Sequence, residues 1–342
     1  MTETALTRDA GIRIPIICGA LYPCSNPELV GAVSATGAIG VYQPISLTYV
    51  HGHEHRAGIR IMQRLAGGRP LGMNALIESS SRAYHERMVR WVEEALEEGV
   101  RFFVTSLGNP RWVCERAHAA GGVVYHDVTE AKWARKGVDA GCDGLIAVNA
   151  RAGGHAGSRS AEALLDELAP FARPVVCAGG VGSPADYLHA LALGYAGVQM
   201  GTRFIATTEC SAHPRYKQAI VEAGERDIVL TERLTGVPVA VIDTPYIRRI
   251  GLRAGPIARL LLRGRTTKRW MRSLYAVRSL LSLKRSNSRG DVARDHWQAG
   301  RSVASIDSIV PVADVVRDFD NAARPRELQP SNAAPDVLPR PA

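Results

Sequence analysis

A histidine flanked by glycines is the residue of this sequence best suited to move a proton. His155 lies in the run Arg151–Gly157, RAGGHAG in one-letter code, whose glycines leave room for a flat ring to come close. Imidazole titrates near neutral pH, which suits a general base. A histidine that only hydrogen-bonds its own loop is the alternative, and the position of the run in the fold must decide between them.

Two glycine-containing runs could bind an anion. Cys177–Gly180 contains Gly179 and Gly180, and Met200–Thr202 contains Gly201. Glycine allows backbone N–H groups to approach a phosphate closely. Tight turns between strands and helices also need glycine, so either run alone does not distinguish a phosphate site from a simple turn. Together, in adjacent loops, they favour a phosphate site.

A side-chain amide in the run Gly72–Asn74 could recognise a heterocycle. Asn74 can both donate and accept hydrogen bonds, which matches the edge of a flavin pyrimidine. A turn-capping asparagine is the alternative. The run Cys18–Leu21 offers backbone N–H and C=O groups at a corresponding position.

Regularly spaced strands must position these residues. Eight runs rich in β-branched residues alternate with helical patterns: Ile14–Ala20, Ile39–Pro44, Leu71–Ile77, Arg101–Leu107, Val123–Val128, Gly144–Ala150, Pro174–Gly180 and Gly197–Phe204. This pattern predicts an α/β fold with a parallel sheet, closed as a (β/α)₈ TIM barrel, with an open doubly wound sheet as the competitor. In a barrel, the chemistry lies at the carboxyl ends of the strands, where all the runs above would meet.

The pattern changes after Phe204 and predicts a smaller, mainly helical lid domain inserted near the C-terminus. The predicted divisions are a barrel over 1–207, a helical, strongly basic lid over 208–302, a helix returning to the barrel over 303–324, and a disordered tail over 325–342. The net charge of the 342 residues is +9, and Tyr246–Ser288 alone contains twelve Lys or Arg and no acid. The basic character therefore belongs to one segment.

Composition excludes several classes of protein. No apolar run is long enough for a membrane span, and the first residues lack the apolar stretch of a signal peptide, so we expect a cytoplasmic enzyme. The six cysteines form no C-x-x-C pair, and no cysteine and histidine spacing predicts a metal site. No aromatic residues are interleaved with the charge in a way that suggests nucleic acid as a partner.

The order of these motifs resembles the nitronate monooxygenase family, formerly called 2-nitropropane dioxygenases, over about residues 11–320. Three runs resemble the family most specifically, and Trp297–Gly300 resembles its late W-x-A-G element. The three are Ala152–His155, Cys177–Gly180 and Gly197–Phe204. The resemblance implies a (β/α)₈ barrel that binds FMN without a covalent link.

The resemblance also implies roles for individual residues. His155 would be the catalytic base. The phosphate cradle would be Gly179, Gly180, Gly201 and Thr202. The remaining flavin contacts would come from strand ends and loops: Gly19, Ala20, Leu21, Asn74, His126, Gly153, Gly154 and Gln199.

The sequence departs from the family pattern at two places near these motifs. The family usually has Q-G-G-M after the first strand, where this chain has Cys18–Leu21, and many members have an acid where this chain has Arg151. Backbone contacts to FMN tolerate such changes, whereas substrate identity does not follow from them.

The leading functional prediction is oxidation of alkyl nitronates with O₂. The alternative is an NAD(P)H-dependent FMN reductase that acts on an enoyl-CoA, another thioester or a quinone. The basic segment 246–288 could meet CoA phosphates, could lie on an anionic membrane surface, or could be a solvated face of the lid. A monomer and a homodimer both remain open.

Overall fold

Eight parallel strands close into a barrel in the computed structural model, which describes residues 3–78, 81–255 and 281–324. Strand β1 pairs with both β2 and β8, so the sheet has no free edge. This confirms the predicted (β/α)₈ barrel. The strands are β1 Ile16–Cys18, β2 Ile39–Tyr42, β3 Gly72–Ile77, β4 Phe102–Leu107, β5 Val123–Val128, β6 Gly144–Val148, β7 Val175–Ala178 and β8 Gly197–Met200.

Alternate residues of each strand face the barrel interior, because successive side chains of a strand point to opposite faces. The interior is packed with large apolar side chains from neighbouring strands, and the other face of each strand packs on helices. The inward set includes Ile17, Val41, Val104, Tyr125, Ile146 and Val176. This alternation decides which polar side chains reach the site.

Helices surround the barrel in the order that the sequence predicted. Helix α8, Pro184–Leu193, begins and ends where local chemistry requires, with Ser183 in a capping box, Pro184 at the first position and Gly194 at φ 104° after its end. The other helices before β8 are α1 Ala5–Ala10, α2 Pro27–Ala35, α3 His55–Leu65, α4 Arg82–Glu97, α5 Arg111–Ala119, α6 Ala131–Asp139 and α7 Ala161–Leu168.

A short sheet and several helices follow the barrel. Strands β9 Ile228–Thr231 and β10 Val239–Ile242 pair antiparallel. The helices are α9 Thr202–Ile205, α10 Pro214–Glu222, α11 Pro245–Ile250, helical residues 281–289 and the C-terminal helix Val312–Ala322. The C-terminal helix packs back on α2 and α8.

The hydrophobic pattern over 209–224 predicts one helix across this range, and the helix in the structure is shorter. Helix α10 begins only at Pro214, which has no N–H to donate, and His213 before it is extended and caps the helix by accepting from the N–H of Arg215 at 3.1 Å. Strand β9 was not predicted, since its pattern of burial is irregular along four residues.

Helical spacing in the basic segment predicts one apolar stripe of Trp270, Leu274, Val277 and Leu281. All of this stripe but Leu281 lies outside the described residues, as does the predicted tail 325–342. Leu281 is exposed. Within the parts of the chain that the structure describes, no helix is long and apolar enough to cross a membrane.

Candidate active site at the carboxyl ends of the strands

The loop that carries His155 is fixed from two sides. Gly154 exchanges two backbone hydrogen bonds with Ala240 of β10, at 3.3 and 2.7 Å. Gly153 lies so close to the backbone of Ala299 and Gly300 that a Cβ there would be 2.8 Å from the Gly300 nitrogen. The glycines are therefore needed for close packing as well as for space around the histidine.

His155 itself lies exposed on the rim that this loop forms. Neither ring nitrogen has a hydrogen-bond partner among the described residues. The surrounding protein lowers the pKa of His155, because it removes water from the charged form. We expect only a small shift because the side chain is exposed, but its direction favours the neutral imidazole that a base needs at pH 7.

The predicted phosphate cradle has the backbone shape that glycine alone allows. Gly179 has φ 113° and Gly180 has φ 82°. A Cβ on Gly179 would lie 2.5 Å from Oδ1 of Asn149, so no side chain fits there. Gly201 follows β8 and faces the side chain of Leu21, at 2.9 Å from where its Cβ would lie. These contacts bring the loop after β8 to the loop after β1, and the loop after β7 to the loop after β6. The ends of β7 and β8 are neighbours in the barrel, where Ala178 pairs with Gln199.

A buried asparagine links the cradle to the His155 loop. Asn149 is fully buried and donates from Nδ2 to the carbonyl of Gly179 at 2.9 Å, while its Oδ1 accepts from the N–H of Arg151 at 2.8 Å. The sequence prediction did not include Asn149. Its place directly after β6 is the signal that could have found it.

Polar side chains follow the apolar interior of the barrel toward the carboxyl ends of the strands. This inner polar set consists of Gln43, Asn74, Asp127 and Gln199, each in phase with the inward residues of its strand. Oε1 of Gln43, Oδ1 of Asp127 and Oε1 of Gln199 are buried and have no hydrogen-bond partner among the described residues. Buried polar atoms are rarely left unpaired. These three atoms are therefore available to hydrogen-bond a polar ligand.

Backbone groups of β1 lie beside this set. Gly19 donates to the carbonyl of Met200 at 3.1 Å, and a Cβ on it would lie 3.1 Å from the side chain of Gln199. Ala20 packs against the apolar interior. Asn74 is buried and donates to the carbonyl of Val104 at 3.4 Å, which leaves its carbonyl oxygen available.

Asp127 is the ionisable member of the inner polar set. Burial raises its pKa to about 7, and the side chain of Gln199 opposes part of this rise. No charged neighbour among the described residues contributes. A carboxyl group with this raised pKa can carry its proton close to neutral pH, and it can then donate as well as accept a hydrogen bond.

The structure places His126 on the other face of β5. Its ring packs against α6, where a Cβ on Gly137 would lie 2.9 Å from Cδ2, and Nδ1 shares a hydrogen bond of 2.9 Å with the hydroxyl of Thr105. Burial lowers the pKa of His126 to about 4. His126 therefore does not join the other predicted residues at the strand ends. Its neighbour Asp127 does, because it lies on the opposite face of the strand.

These features fit FMN on structural grounds. The cradle offers backbone N–H groups where no side chain can stand, which suits a terminal phosphate. The inner polar set offers donors and acceptors that match the edge of a flavin ring. The hydrogen-bonding groups are side-chain amides, a carboxyl group and the backbone, and they lie beside apolar packing, as expected for a cofactor pocket.

Comparison with known proteins agrees with this geometry. The sequence matches the family described as nitronate monooxygenase over residues 3–320. The chain belongs to the nitronate monooxygenase family. Members of that family are generally FMN-dependent, and the chain is accordingly an oxidoreductase.

Two curated proteins that are similar to this chain carry different names. A protein of Rhodococcus jostii (strain RHA1) is named (3aS,4S,5R,7aS)-5-hydroxy-7a-methyl-1-oxo-octahydro-1H-indene-4-carboxyl-CoA dehydrogenase. It is 27% identical over 293 residues, which cover 84% of this chain and 80% of that protein. A probable nitronate monooxygenase of Staphylococcus saprophyticus is also 27% identical, over 72% of this chain and 81% of the relative.

Among solved structures, FabK from Thermotoga maritima has a similar fold. It superposes with a TM-score of 0.76 at 28% identity, covering 94% of this chain and 96% of FabK. The barrel and the elements after it are thus shared with this structure over most of their length.

Proposed function

We propose that this chain binds FMN non-covalently at the carboxyl ends of its strands and oxidises alkyl nitronates with O₂. The observation that carries the proposal is His155, an exposed imidazole without a described partner, on a fixed loop that Asn149 joins to the phosphate cradle. A neutral base at the rim of a flavin pocket suits a nitroalkane, whose acidic C–H bond must lose its proton to give the nitronate.

Each group of residues would have one task in this reaction. The cradle residues Gly179, Gly180, Gly201 and Thr202 would hold the phosphate, and Gly19, Asn74 and Gln199 would orient the ring. FMN, when bound, supplies the two-electron chemistry that no side chain provides. His155 would take the proton from the carbon beside a nitro group, or would position the anion when the substrate arrives already deprotonated.

A second candidate is an NAD(P)H-dependent reductase of a CoA thioester. The similarity to the Rhodococcus protein, whose printed name contains a carboxyl-CoA, favours it. The basic segment 246–288 offers cations for CoA phosphates. Among its described members, Arg248 pairs with Asp243 at 2.9 Å, and Lys284 donates to the carbonyl of Tyr49 at 2.8 Å.

We propose a cytoplasmic location and small-molecule substrates. Contact of the segment 246–288 with an anionic membrane surface stays a prediction, because residues 256–280 lie outside the described parts of the chain. Binding to anionic vesicles that is lost at about 0.5 M salt would support this contact, since salt screens such attraction.

Anaerobic reduction of the purified protein tests the proposal against its alternative. One sample receives an alkyl nitronate, and a second receives NADH or NADPH. Loss of the flavin absorbance with the nitronate alone supports nitronate oxidation. Loss with a nicotinamide nucleotide alone contradicts it and supports the reductase.

A further inference from the structure

The side chain of Arg151 lies across the Gly180 turn of the phosphate cradle. A Cβ on Gly180 would lie 2.8 Å from Nε of Arg151 and 3.0 Å from its Cδ. The side chain of Arg151 is about 42% exposed, so it borders the cradle from the solvent side.

The guanidinium is held in one orientation by a carboxylate. Nη1 of Arg151 donates to Oε1 of Glu225 at 2.8 Å, and Nη2 donates to Oε2 at 3.2 Å. A bidentate pair of this kind fixes the plane of the guanidinium. Both terminal nitrogens are thereby engaged, whereas no hydrogen bond joins Nε to any other described residue. The free N–H is the one beside Gly180.

The backbone of Arg151 is fixed to the same frame as the cradle. Its N–H donates to Asn149, which also binds the carbonyl of Gly179, and its carbonyl accepts from the N–H of Arg301 at 2.9 Å. The backbone of Arg151 is therefore held beside the cradle, and the pair with Glu225 holds its side chain.

Positive charge exceeds negative charge around this pair. Nη1 of Arg301 also lies 3.6 Å from Oε1 of Glu225, so two guanidinium groups share one carboxylate. One positive charge is left without a compensating acid among these three side chains. A ligand with negative charge at the cradle would balance it.

We propose that Arg151 is a specificity-determining residue that donates from Nε to the phosphate of FMN, so that the protein selects FMN over riboflavin. This inference rests on the proposed function, because it presumes that a flavin phosphate occupies the cradle. Glu225 is then a positioning residue that aims Nε at the cradle. The cradle alone supplies neutral N–H donors, and Arg151 supplies the charge.

Flavin binding to flavin-free protein tests this inference without any measurement of turnover. FMN and riboflavin are each titrated while flavin fluorescence is followed, and Kd is obtained for both. For Arg151→Gln we expect FMN affinity to fall on the order of 10- to 100-fold, the usual scale for a charge-assisted hydrogen bond. Riboflavin affinity should change less than about 3-fold, since riboflavin has no phosphate.

Variants that differ only in charge or position provide the controls. Arg159→Gln removes another arginine of the same loop, which pairs with Glu167 at 2.9 Å, and it should leave both affinities unchanged. Glu225→Gln should weaken FMN binding less than Arg151→Gln and leave riboflavin binding unchanged. Arg151→Lys should recover only part of the FMN affinity, because an ammonium cannot make the bidentate pair.

The outcomes separate this inference from the proposed function. An equal loss for FMN and riboflavin, or no loss in Arg151→Gln, overturns the role of Arg151 while the flavin site stands. If the unmutated protein binds neither flavin, the proposed function fails and the inference fails with it.

Discussion

Oγ1 of Thr202 accepts a hydrogen bond of 3.0 Å from the backbone N–H of Gly300. This bond joins the last loop of the barrel to the Trp297–Gly300 run, and the indole of Trp297 in turn stacks on Tyr216 with ring centroids 5.6 Å apart. Residues almost a hundred positions apart in sequence thus form one wall of the site.

Loss of the Thr202 hydroxyl should lower the stability of the protein. Thr202→Val keeps the shape of the side chain but leaves the Gly300 N–H unpaired, so the free energy of unfolding should fall by about 1–3 kcal/mol. Thr202→Ser retains the acceptor and should lose much less. Denaturant unfolding of the three proteins measures the difference, and equal stability of Thr202→Val and the unmutated protein would contradict the role of this bond.

A carboxylate in the cradle should abolish flavin retention. Gly180→Asp would place a negative charge against the phosphate and a side chain at a position where φ is 82°. Gly121→Asp is the matched control, because Gly121 has φ 71° and open space around it at the amino-terminal end of β5. The ratio of flavin to protein absorbance after purification should be near zero for Gly180→Asp only. A fully yellow Gly180→Asp would show that the cradle is misplaced.

The stability of the protein should depend on pH through Asp127. Burial raises the pKa of Asp127 from 3.8 to about 7, so the folded protein holds this proton more tightly than the unfolded chain does. Ionisation of Asp127 therefore costs stability, and this cost grows as pH rises from about 4 to 7. Asp127→Asn cannot ionise, so its stability relative to the unmutated protein should rise between pH 5 and pH 8, by about 1–3 kcal/mol.

Unfolding of flavin-free protein at the two pH values measures this gain. Asp139→Asn changes an exposed carboxyl at the end of α6 and should show no such gain. A constant difference between Asp127→Asn and the unmutated protein at both pH values would mean that Asp127 is ionised throughout.

Removal of the imidazole of His155 should lower turnover of a neutral nitroalkane more than turnover of its nitronate. His155→Ala should retain fold and flavin, because His155 makes no hydrogen bond to other described residues. Turnover of a neutral nitroalkane should fall roughly 10²–10⁴-fold, the usual effect of losing a general base. Turnover of the nitronate should fall less, since its proton is already gone. An equal fall in turnover of the nitroalkane and of the nitronate would contradict a role of His155 as a base.

The fold was largely predictable because its signals are local. The eight apolar runs fall on the eight strands within a few residues, and Ser183 with Pro184 marks the start of α8. The missed strand β9 and the late start of α10 depend on tertiary pairing and on the extended conformation before Pro214, which hydrophobic periodicity does not report.

The candidate site was predictable where glycine and histidine mark it. Gly179, Gly180 and His155 stand out by residue type, whereas Asp127 and Gln43 differ from many surface residues only by the strand face on which they lie. Side chains alternate between the two faces of a strand, and Tyr125 faces the interior. Asp127 therefore faces the interior as well, and His126 does not. The role inferred for Arg151 depends on its distance to Gly180 and on its pairing with the distant Glu225, and sequence carries neither.

The identity of the bound chromophore tests the central claim most directly. The purified protein is denatured by heat, and the released chromophore is identified by mass and quantified against the chain. The site described here predicts FMN in about one copy per chain, because it has one phosphate cradle and no G-x-G-x-x-G turn after the first strand for a dinucleotide. FAD, or the absence of any flavin from freshly prepared protein, would contradict the claim.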